Sequence, residues 1–385
     1  MPASGDWQFE PAVDITGVPV EGVFHHIESA GRRNIAIAEG EIGVVWEDNR
    51  DGRPAIYLSR RMVGDSQVAQ AQRLSGTGEA YEPTIVPFAA GFAIAWEEGG
   101  KIRAAYVQSE GLTDVINLGR GESTQAALVP GKQGELLALW SEQGDRDAKI
   151  TAAMLALENG RLAPGVPFAA DIKPFTGDQN YPSGAWHGNL GVFVIAWEDR
   201  RYENVVLFSA IGDGNVKFSL PMQVNGLRAP QSGQYGVASG AARIALTPFR
   251  GAVAATWADK RNFQFGYDIF ASFAQTSGRF GQDMLVQDGF AEGYEQWHPA
   301  IASQADTLVV AWDDDRDGSS DIWISEYVDG QWSDDLALPG GFGPGAQTHP
   351  SIALDSRGGL HAVWVDRAQD NGPTRLRYVH GQRVP

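Results

Sequence analysis

Residues 44–52 read Val-Val-Trp-Glu-Asp-Asn-Arg-Asp-Gly, and this stretch decides the fold because variants of it recur along the chain. The shared frame is an apolar run, a tryptophan and then acidic and basic residues, and it occurs seven times in 385 residues. Successive frame tryptophans are 44 to 60 residues apart. They are Trp46, Trp96, Trp140, Trp197, Trp257, Trp312 and Trp364. A repeat of this length over the whole chain indicates an array of similar structural units.

Each unit carries the signals of short β-strands. An Asp-Gly turn follows the frame at 51–52 and 317–318, where glycine tolerates the positive φ of a tight hairpin. A strand with an aromatic residue comes next, as in 55–58, and a strand opened by proline comes before the frame, as in 83–86. Four short strands at this period are typical of a propeller blade. We therefore predict an all-β fold, a seven-bladed β-propeller of four-stranded antiparallel blades forming a single domain over residues 1–385.

The last unit lacks its outer strand, because the chain stops soon after residues 374–380. Residues 8–17 resemble an outer strand placed at the opposite end of the chain. We expect this N-terminal segment to complete the last blade and close the ring, which would also hide the exposed sheet edges.

Composition excludes several classes of protein. The chain has 30 Lys and Arg against 48 Asp and Glu, a net charge of −18, and no cysteine. Disulfides and thiolate metal sites are therefore excluded, and the negative charge argues against a nucleic-acid partner. No apolar run reaches the roughly 18–20 residues of a membrane span. The sequence contains no glycine-rich phosphate loop, so we expect no nucleotide cofactor.

The chain begins with the polar residues Met-Pro-Ala-Ser-Gly, which carry no signal peptide. Either the protein is cytoplasmic or its signal has been replaced. An acidic, cysteine-free, glycine-rich repeat favours a periplasmic or secreted protein, and this is the localisation we expect.

The frame Trp-Glu-Asp-x-Arg-Asp-Gly with a following Ile-Tyr resembles the repeat of bacterial propellers grouped with sialidase-like (BNR-type) proteins. The resemblance covers nearly the whole chain, although the sialidase Asp box, Ser-x-Asp-x-Gly-x-Thr-Trp, is absent. It implies that Arg33 in the first blade could hold a substrate carboxylate in a sialidase-like glycoside hydrolase. The other arginines, the Tyr–Glu pair and the acid/base aspartate of that family have no assignable counterparts here.

The repeat also predicts which residues face the central channel. The residue just before each innermost strand should point to the axis, and in five blades these are Glu82, Gln125, Tyr181, His298 and His349. The longer segments 22–33 and 233–243 of blades one and five leave their residues open among His25, His26, Arg32, Arg33 and Tyr235.

These residues predict a binding scaffold whose ligand lies at the channel mouth. The candidate ligand contacts are Glu82, Gln125, Tyr181, Tyr235 and Arg33, and a small molecule, a glycan or a protein would be the partner.

The histidines of the channel support an alternative. His298, His349 and either His25 or His26, together with Glu82, could bind Cu, Fe or Zn, since imidazole suits these metals. The protein would then be a metal-dependent enzyme or a metal carrier. The simpler interpretation is a polar channel lined by water-bonded side chains. We expect His187, His361 and His380 to face solvent or a strand edge.

Blade six carries an acidic string that resembles the calcium loops of integrin-type propellers. Its carboxylates are Asp313, Asp315, Asp317 and Asp321, around Gly318. Oxygen ligands on a tight turn suit Ca²⁺, so calcium is a candidate cofactor. The alternative is an acidic hairpin turn without an ion.

We assign the frame residues themselves to the scaffold, because one active site does not need seven copies. The tryptophans should pack between blades. The aspartates should accept backbone N–H bonds in the turn, and the arginines should bridge to a neighbouring blade.

Overall fold

The computed structural model describes residues 7–28, 31–65, 70–108, 111–132, 134–173, 176–201, 204–214, 217–226, 240–261, 266–291, 293–369 and 371–384. The first strands in chain order are β1 (Trp7–Phe9) and β2 (Val13–Asp14), then in blade one β3 (His25–His26), β4 (Ile35–Ala38), β5 (Glu41–Asp48), β6 (Ala55–Met62) and β7 (Gln72–Arg73). Blade two holds β8 (Ala80–Phe88), β9 (Gly91–Glu98), β10 (Lys101–Gln108), β11 (Gly111–Leu112) and β12 (Ile116–Leu118). Blade three holds β13 (Ser123–Pro130), β14 (Leu136–Gln143), β15 (Ala148–Glu158), β16 (Arg161–Pro164) and β17 (Phe168–Ala169).

The remaining blades continue in the same order. Blade four holds β18 (Gln179–His187), β19 (Val192–Asp199), β20 (Val206–Gly212) and β21 (Met222–Gln223), and blade five holds β22 (Ala241–Phe249), β23 (Ala252–Asp259), β24 (Asp268–Phe273) and β25 (Met284–Leu285). After a short 3₁₀ helix, Gly289–Ala291, blade six holds β26 (Gln296–Gln304), β27 (Thr307–Asp314), β28 (Asp321–Val328), β29 (Gln331–Trp332) and β30 (Leu336–Ala337). Blade seven holds β31 (Ala346–Leu354), β32 (Leu360–Arg367) and β33 (Arg375–Arg383).

The predicted seven-bladed β-propeller is confirmed. The seven sheets are antiparallel with four strand positions each, and the outer position is often divided into two short strands. The innermost strands of successive blades contact one another in a closed circuit, in the order β4, β8, β13, β18, β22, β26, β31 and back to β4. The ring therefore closes after seven blades.

The predicted closure by the N-terminal segment is also confirmed. β1 and β2 both pair with β33, with Phe9 opposite Gly381 and Val13 opposite Tyr378. Asp14 adds ion pairs to two arginines of β33, at 3.0 Å to Arg375 and 3.2 Å to Arg377. The first and last parts of the chain thus share one sheet.

The core is divided among the blade interfaces. Seven clusters of buried apolar side chains each combine residues from two adjacent blades, and every frame tryptophan is fully buried in one of them. A large ring such as Trp supplies much of the apolar area of a thin interface. The sequence period of one tryptophan per unit therefore corresponds to one tryptophan per interface.

The polar residues of the frame hold the end of the second strand. In six blades the tryptophan Nε1–H donates to the carboxylate two residues later, for example from Trp46 to Asp48 at 2.7 Å. Asp48 also accepts the backbone N–H of Arg50 at 3.0 Å and pairs with its guanidinium. The arginine therefore binds first within its own frame, and in blade four Arg201 also reaches Asp171, which follows the outer strand of blade three.

Candidate functional site

A β-bulge interrupts the first strand of six blades at the same place. In blades two to seven the register shifts after the first two or, in blade seven, the first three residues of that strand. The bulge residue of each blade has a positive φ between 47° and 61° although none is glycine. These residues are Glu82, Gln125, Tyr181, Arg243, His298 and His349. Each blade from two to seven thus presents one large, half-buried polar side chain at the same end of its inner strand.

In blades one, two and four, the glutamate directly after the frame tryptophan supports the bulge of the next blade. Glu47 accepts the backbone N–H of Glu82 at 3.2 Å, and Glu97 accepts that of Gln125 at 2.6 Å. Glu198 accepts the N–H of Arg243 at 2.8 Å in the same way. A left-handed conformation is costly for a residue with a side chain, and these bonds from the neighbouring blade help to hold it.

Blade one differs because seven residues stand at its bulge where blade two has two. We name residues 27–33 the crossing segment; residues 29 and 30 lie outside the described part of the chain. A Cβ on Gly31 would meet the carbonyl oxygen of Pro182 in blade four, and the Arg33 Nη2 donates to Leu246 O of blade five at 2.9 Å. The segment therefore reaches from blade one across the axis to the opposite blades.

The crossing segment brings two charged residues to the bulge residues. Buried Glu28 pairs with Arg32 at 3.3 Å and with Arg243 at 3.1 Å. Arg32 also pairs with Glu82. The guanidinium groups of Arg32 and Arg243 lie 5.5 and 4.2 Å from the ring centre of Tyr181. We call the six bulge residues together with His26, Glu28 and Arg32 the hub cluster.

Three imidazoles of the hub cluster are in contact. His298 stacks on His349 with 3.7 Å between ring centres, and His26 meets His349 edge-on at 5.6 Å. The Nδ1 of His298 lies 3.0 Å from both carboxylate oxygens of Asp313. Burial, with the neighbouring His298 and His26, holds the pKa of His349 well below its usual value. His349 is therefore a neutral imidazole near pH 7.

Carboxylates exceed cations at this site. Burial, together with the nearby charge of Glu82, raises the pKa of Glu47 and of Glu97 to about 7. Burial alone would also raise the pKa of Glu28, but Arg32 and Arg243 outweigh it and hold that pKa below its usual value. Of these three glutamates, only Glu28 has guanidinium groups in contact, and only there is the ionised form stabilised.

The remaining predicted site residues lie elsewhere. His25 is at the interface of blades seven and one, where its Nδ1 lies 3.1 Å from the Thr374 hydroxyl and its Nε2 3.7 Å from Asp48. Arg33 lines a cavity inside the channel, on the side of the crossing segment that faces away from the hub cluster. Tyr235 falls outside the described residues. Of the two candidate histidines in blade one, His26 is therefore the one that joins His298 and His349.

The four carboxylates of the acidic string have different partners. Asp313 contacts His298, Asp315 accepts the N–H of Glu295 at 2.8 Å, and Asp321 accepts that of Gly343 at 3.0 Å. Asp317 borders a surface pocket with Arg316. This arrangement does not gather the carboxylates at one point, and the calcium loop stays a prediction.

Sequence reasoning missed several residues of this end of the ring. Arg243 lies 14 residues before its frame tryptophan, the same offset as Glu82 and His298, so counting back from the tryptophan would have found it.

The expectation that His187, His361 and His380 face solvent or a strand edge is wrong, because all three side chains are buried. His361 stands three residues before its tryptophan, where every other blade has a glycine or an aliphatic residue. This departure from the repeat pattern could have identified His361 as a candidate functional residue.

Comparison with known proteins supports the fold. The polysaccharide lyase Uly1 aligns with a TM-score of 0.60 over 98% of this chain and 100% of that chain, at 9% identity. The E242A mutant of the α-L-arabinofuranosidase arb93a from Fusarium graminearum aligns at 0.51 over 97% and 98%, at 10% identity. The Trypanosoma rangeli sialidase aligns at 0.51 over 98% of this chain and 59% of that chain, at 10% identity. At such identities the likeness concerns the fold alone.

No protein-family model matches the chain, and no curated protein matches it in sequence. Within the described residues, the structure contains no helix of the length and apolar character needed to pass through a bilayer.

Proposed function

We propose that the protein is a saccharide-binding propeller whose hub cluster contacts a neutral, hydroxyl-rich ligand at the channel mouth. One observation carries the proposal. A backbone position that favours glycine instead holds Glu, Gln, Tyr, Arg, His and His in six successive blades. If this backbone position served only the scaffold, glycine or asparagine would be sufficient there. Strain of this kind, gathered at one end of the axis, is typical of ligand sites.

The charge of the site favours a neutral ligand over an anionic one. Arg32 and Arg243 are already paired with Glu28, and Glu47 and Glu97 add carboxyl groups whose pKa is about 7. An acidic sugar would meet these carboxylates without a free cation. Hydroxyl groups, in contrast, can both donate to carboxylates and accept from guanidinium and imidazole N–H groups.

Chemical variety at the site also suits a sugar. Tyr181 offers a ring and a hydroxyl, Gln125 an amide, and His349 a neutral imidazole. Three solved structures of the same fold carry names of carbohydrate-active enzymes: a polysaccharide lyase, an arabinofuranosidase and a sialidase. We take only the ligand class from these names, because the enzymes are only 9–10% identical to this chain.

A glycan array with neutral and acidic oligosaccharides, followed by calorimetry on the hits, tests the proposal. The variants are Tyr181→Asn and His349→Asn, since asparagine tolerates a positive φ. The matched control is Arg250→Asn, a residue with φ 48° that follows β22 at the opposite end of the inner strand. We expect about 10-fold or greater weakening in both hub variants and none in the control. Failure of all neutral glycans to bind, or unchanged affinity in both hub variants, would reject the proposal.

A second candidate is a transition metal at the hub. Ligand atoms of His26, Glu28 and Glu82 lie within 4.8 Å of one another. The stacked rings of His298 and His349 belong to the same cluster, so Cu, Fe or Zn remains a proposal for this end of the ring. Metal analysis of the wild-type protein and of His26→Asn tests it: the variant should contain one metal ion per chain less than the wild type.

We also propose an extracytoplasmic location, periplasmic or secreted, because a saccharide-binding protein meets its ligands there. The acidic, cysteine-free composition is compatible with it. Fractionation of cells that express the complete gene, with a cytoplasmic and a periplasmic marker, decides between the compartments.

A further inference from the structure

A second cluster of ligating side chains lies in blade seven, away from the hub cluster. Asp355 follows β31 in the turn to β32, His361 is the second residue of β32, and His380 is opposite it on β33. The Nε2 of His361 is 3.5 Å from the Oδ2 of Asp355, and one ligand atom of each of the three residues lies within 4.8 Å of the others. The rings of His361 and His380 stack with 4.5 Å between their centres.

The three atoms that face each other are buried and have no hydrogen-bond partner. Asp355, His361 and His380 are 4%, 0% and 5% exposed. Their Oδ2, Nε2 and Nε2 atoms are all unpartnered in the structure. A buried polar atom without a partner is destabilising, so three such atoms at one point call for a further group between them.

The outer atoms of the same side chains are satisfied. The Nδ1 of His380 lies 3.2 Å from Oε1 of Glu10, and the Nδ1 of His361 lies 2.6 Å from the hydroxyl of Tyr378. Because a carboxylate only accepts, the Nδ1 of His380 carries a proton, and in the neutral ring its Nε2 is a lone pair. Asp355 accepts two backbone N–H bonds at its Oδ1, from Arg357 and Gly359. Its Oδ2 is in ion-pair range of the exposed Arg357 at 3.7 Å and of His361 at 3.5 Å. Histidine ligands of metals are commonly oriented by such outer partners.

Gly359 of the 355–359 turn lies directly beside these atoms. A Cβ built on Gly359 would lie 2.9 Å from Oδ2 of Asp355 and 2.9 Å from Nε2 of His380. Two atoms that bind one zinc ion tetrahedrally at about 2.1 Å lie about 3.4 Å apart, close to the separation of His361 and Asp355. Asp355 also lines a surface cavity of about 450 Å³, which gives solvent access to this turn.

We propose that Asp355, His361 and His380 bind a divalent transition metal of the zinc class, with a water as the fourth ligand. Two imidazoles and one carboxylate are a ligand set that such metals accept. The ion would join the 355–359 turn to β32 and β33. Through His380 and Glu10 it would also connect them to the N-terminal segment that closes the ring. Metal binding would therefore stabilise ring closure.

A direct histidine–aspartate ion pair is the alternative use of these residues. In that pair the Nε2–H of His361 is donated to Asp355. The Nε2 of His380 is then left without a donor.

The test uses the full-length protein, stripped with a chelator and titrated with Zn²⁺ by calorimetry, with Tm measured at each step. We expect one Zn²⁺ per chain and a Tm that falls on chelation and recovers on titration. Co²⁺ should give the visible absorption of a tetrahedral complex. Absence of Zn²⁺ binding by the stripped wild-type protein would overturn the proposal.

Four variants locate the ion. His380→Gln removes a ligand, and Gly359→Ala fills the space while all three ligands remain; each should weaken Zn²⁺ binding by about 100-fold or more. Tyr378→Phe removes an outer partner and should cost about 10- to 100-fold. The control is His187→Gln in blade four, which also has a buried, unpartnered Nε2 but belongs to no ligand cluster among the described residues. Binding that survives in both His380→Gln and Gly359→Ala, or that is lost in His187→Gln, would contradict the assignment.

Discussion

At the scale of single residues, the two acidic positions after the frame tryptophan of blades one, two and four have different roles. The first supports the bulge of the next blade, as Glu198 does for the backbone of Arg243. The second receives the indole N–H and the arginine of its own frame, as Asp199 does for Trp197 and Arg201. The recurrence of Trp-Glu-Asp thus reflects two sets of bonds, one between blades and one within a blade.

Replacement of Asp199 tests the inner set of bonds. Asp199 accepts from the Trp197 indole at 3.0 Å, from the Arg201 backbone at 2.9 Å and from its guanidinium at 2.6 Å. We expect Asp199→Asn to lower the free energy of unfolding by about 2–4 kcal/mol, because the buried Arg201 loses one of its two counter-charges and keeps only Asp171. Denaturant unfolding measures this. Asp306→Asn, which breaks the exposed pair with Arg250, should cost less than about 1 kcal/mol. Equal effects would show that the frame carboxylate is dispensable.

Glu97 predicts a pH dependence of stability. Burial and the nearby Glu82 raise its pKa from 4.5 to about 7, so the folded state binds this proton more tightly than the unfolded state does. Its contribution to stability is therefore complete below pH 4.5 and lost as pH rises through about 7. In Glu97→Gln, which keeps an acceptor for the Gln125 N–H, stability should fall less over this range. Denaturant midpoints at several pH values measure the slope, with exposed Glu158→Gln as the control. Parallel profiles of the wild type and Glu97→Gln would contradict the argument.

At the scale of elements, the crossing segment distinguishes blade one from the other six. It divides the innermost strand into β3 and β4 and brings Glu28 and Arg32 to the bulge residues of other blades. Without it, Arg243 would lack its ion pair with Glu28, and Tyr181 would lack the contact of its ring with the Arg32 guanidinium. The element therefore completes the hub cluster and separates it from the cavity lined by Arg33 on the other side.

Gly31 is the point at which the crossing segment is most closely confined. A methyl group there would meet the carbonyl oxygen of Pro182 and lie 2.9 Å from Cβ of Ser183, both in blade four. We expect Gly31→Ala to lower the free energy of unfolding by about 1–3 kcal/mol through overpacking, and to weaken ligand binding at the hub. Gly289→Ala is the matched control, because a Cβ there meets nothing within 4 Å. A Gly31→Ala variant as stable as the control would show that the segment can shift.

The sequence predicts repeated elements well and single elements poorly, and residues of the hub cluster show why. Glu82, Gln125, Tyr181, His298 and His349 share a repeat position, so their common place in the blade could be predicted from the alignment of units. Arg32 and Glu28 stand in an insertion without counterparts in other blades. Arg243, which pairs with Glu28, is more than 200 positions away from it in the chain. No local pattern encodes such a contact, and the tertiary fold alone decides it.

At the scale of the whole molecule, the ring couples seven similar interfaces. Each blade has an apolar cluster on both sides, and the N-terminal strands leave no blade at an open end. In a linear repeat array, terminal units contact one neighbour and can unfold separately. In a closed ring, loss of one interface releases no blade until a second interface also opens. The architecture thus favours unfolding as one unit.

A cavity at a single interface tests this coupling. Ile94 is fully buried in the cluster between blades one and two, and Ile94→Ala should lower the free energy of unfolding by about 2–5 kcal/mol. Because the ring shares the loss, we expect one transition with coincident midpoints from tryptophan fluorescence and far-UV circular dichroism. Exposed Val166→Ala should change the free energy of unfolding by less than about 0.5 kcal/mol. If the two probes separate in Ile94→Ala while they coincide in Val166→Ala and in the wild type, the blades next to the cavity unfold first, and closure does not couple the seven interfaces.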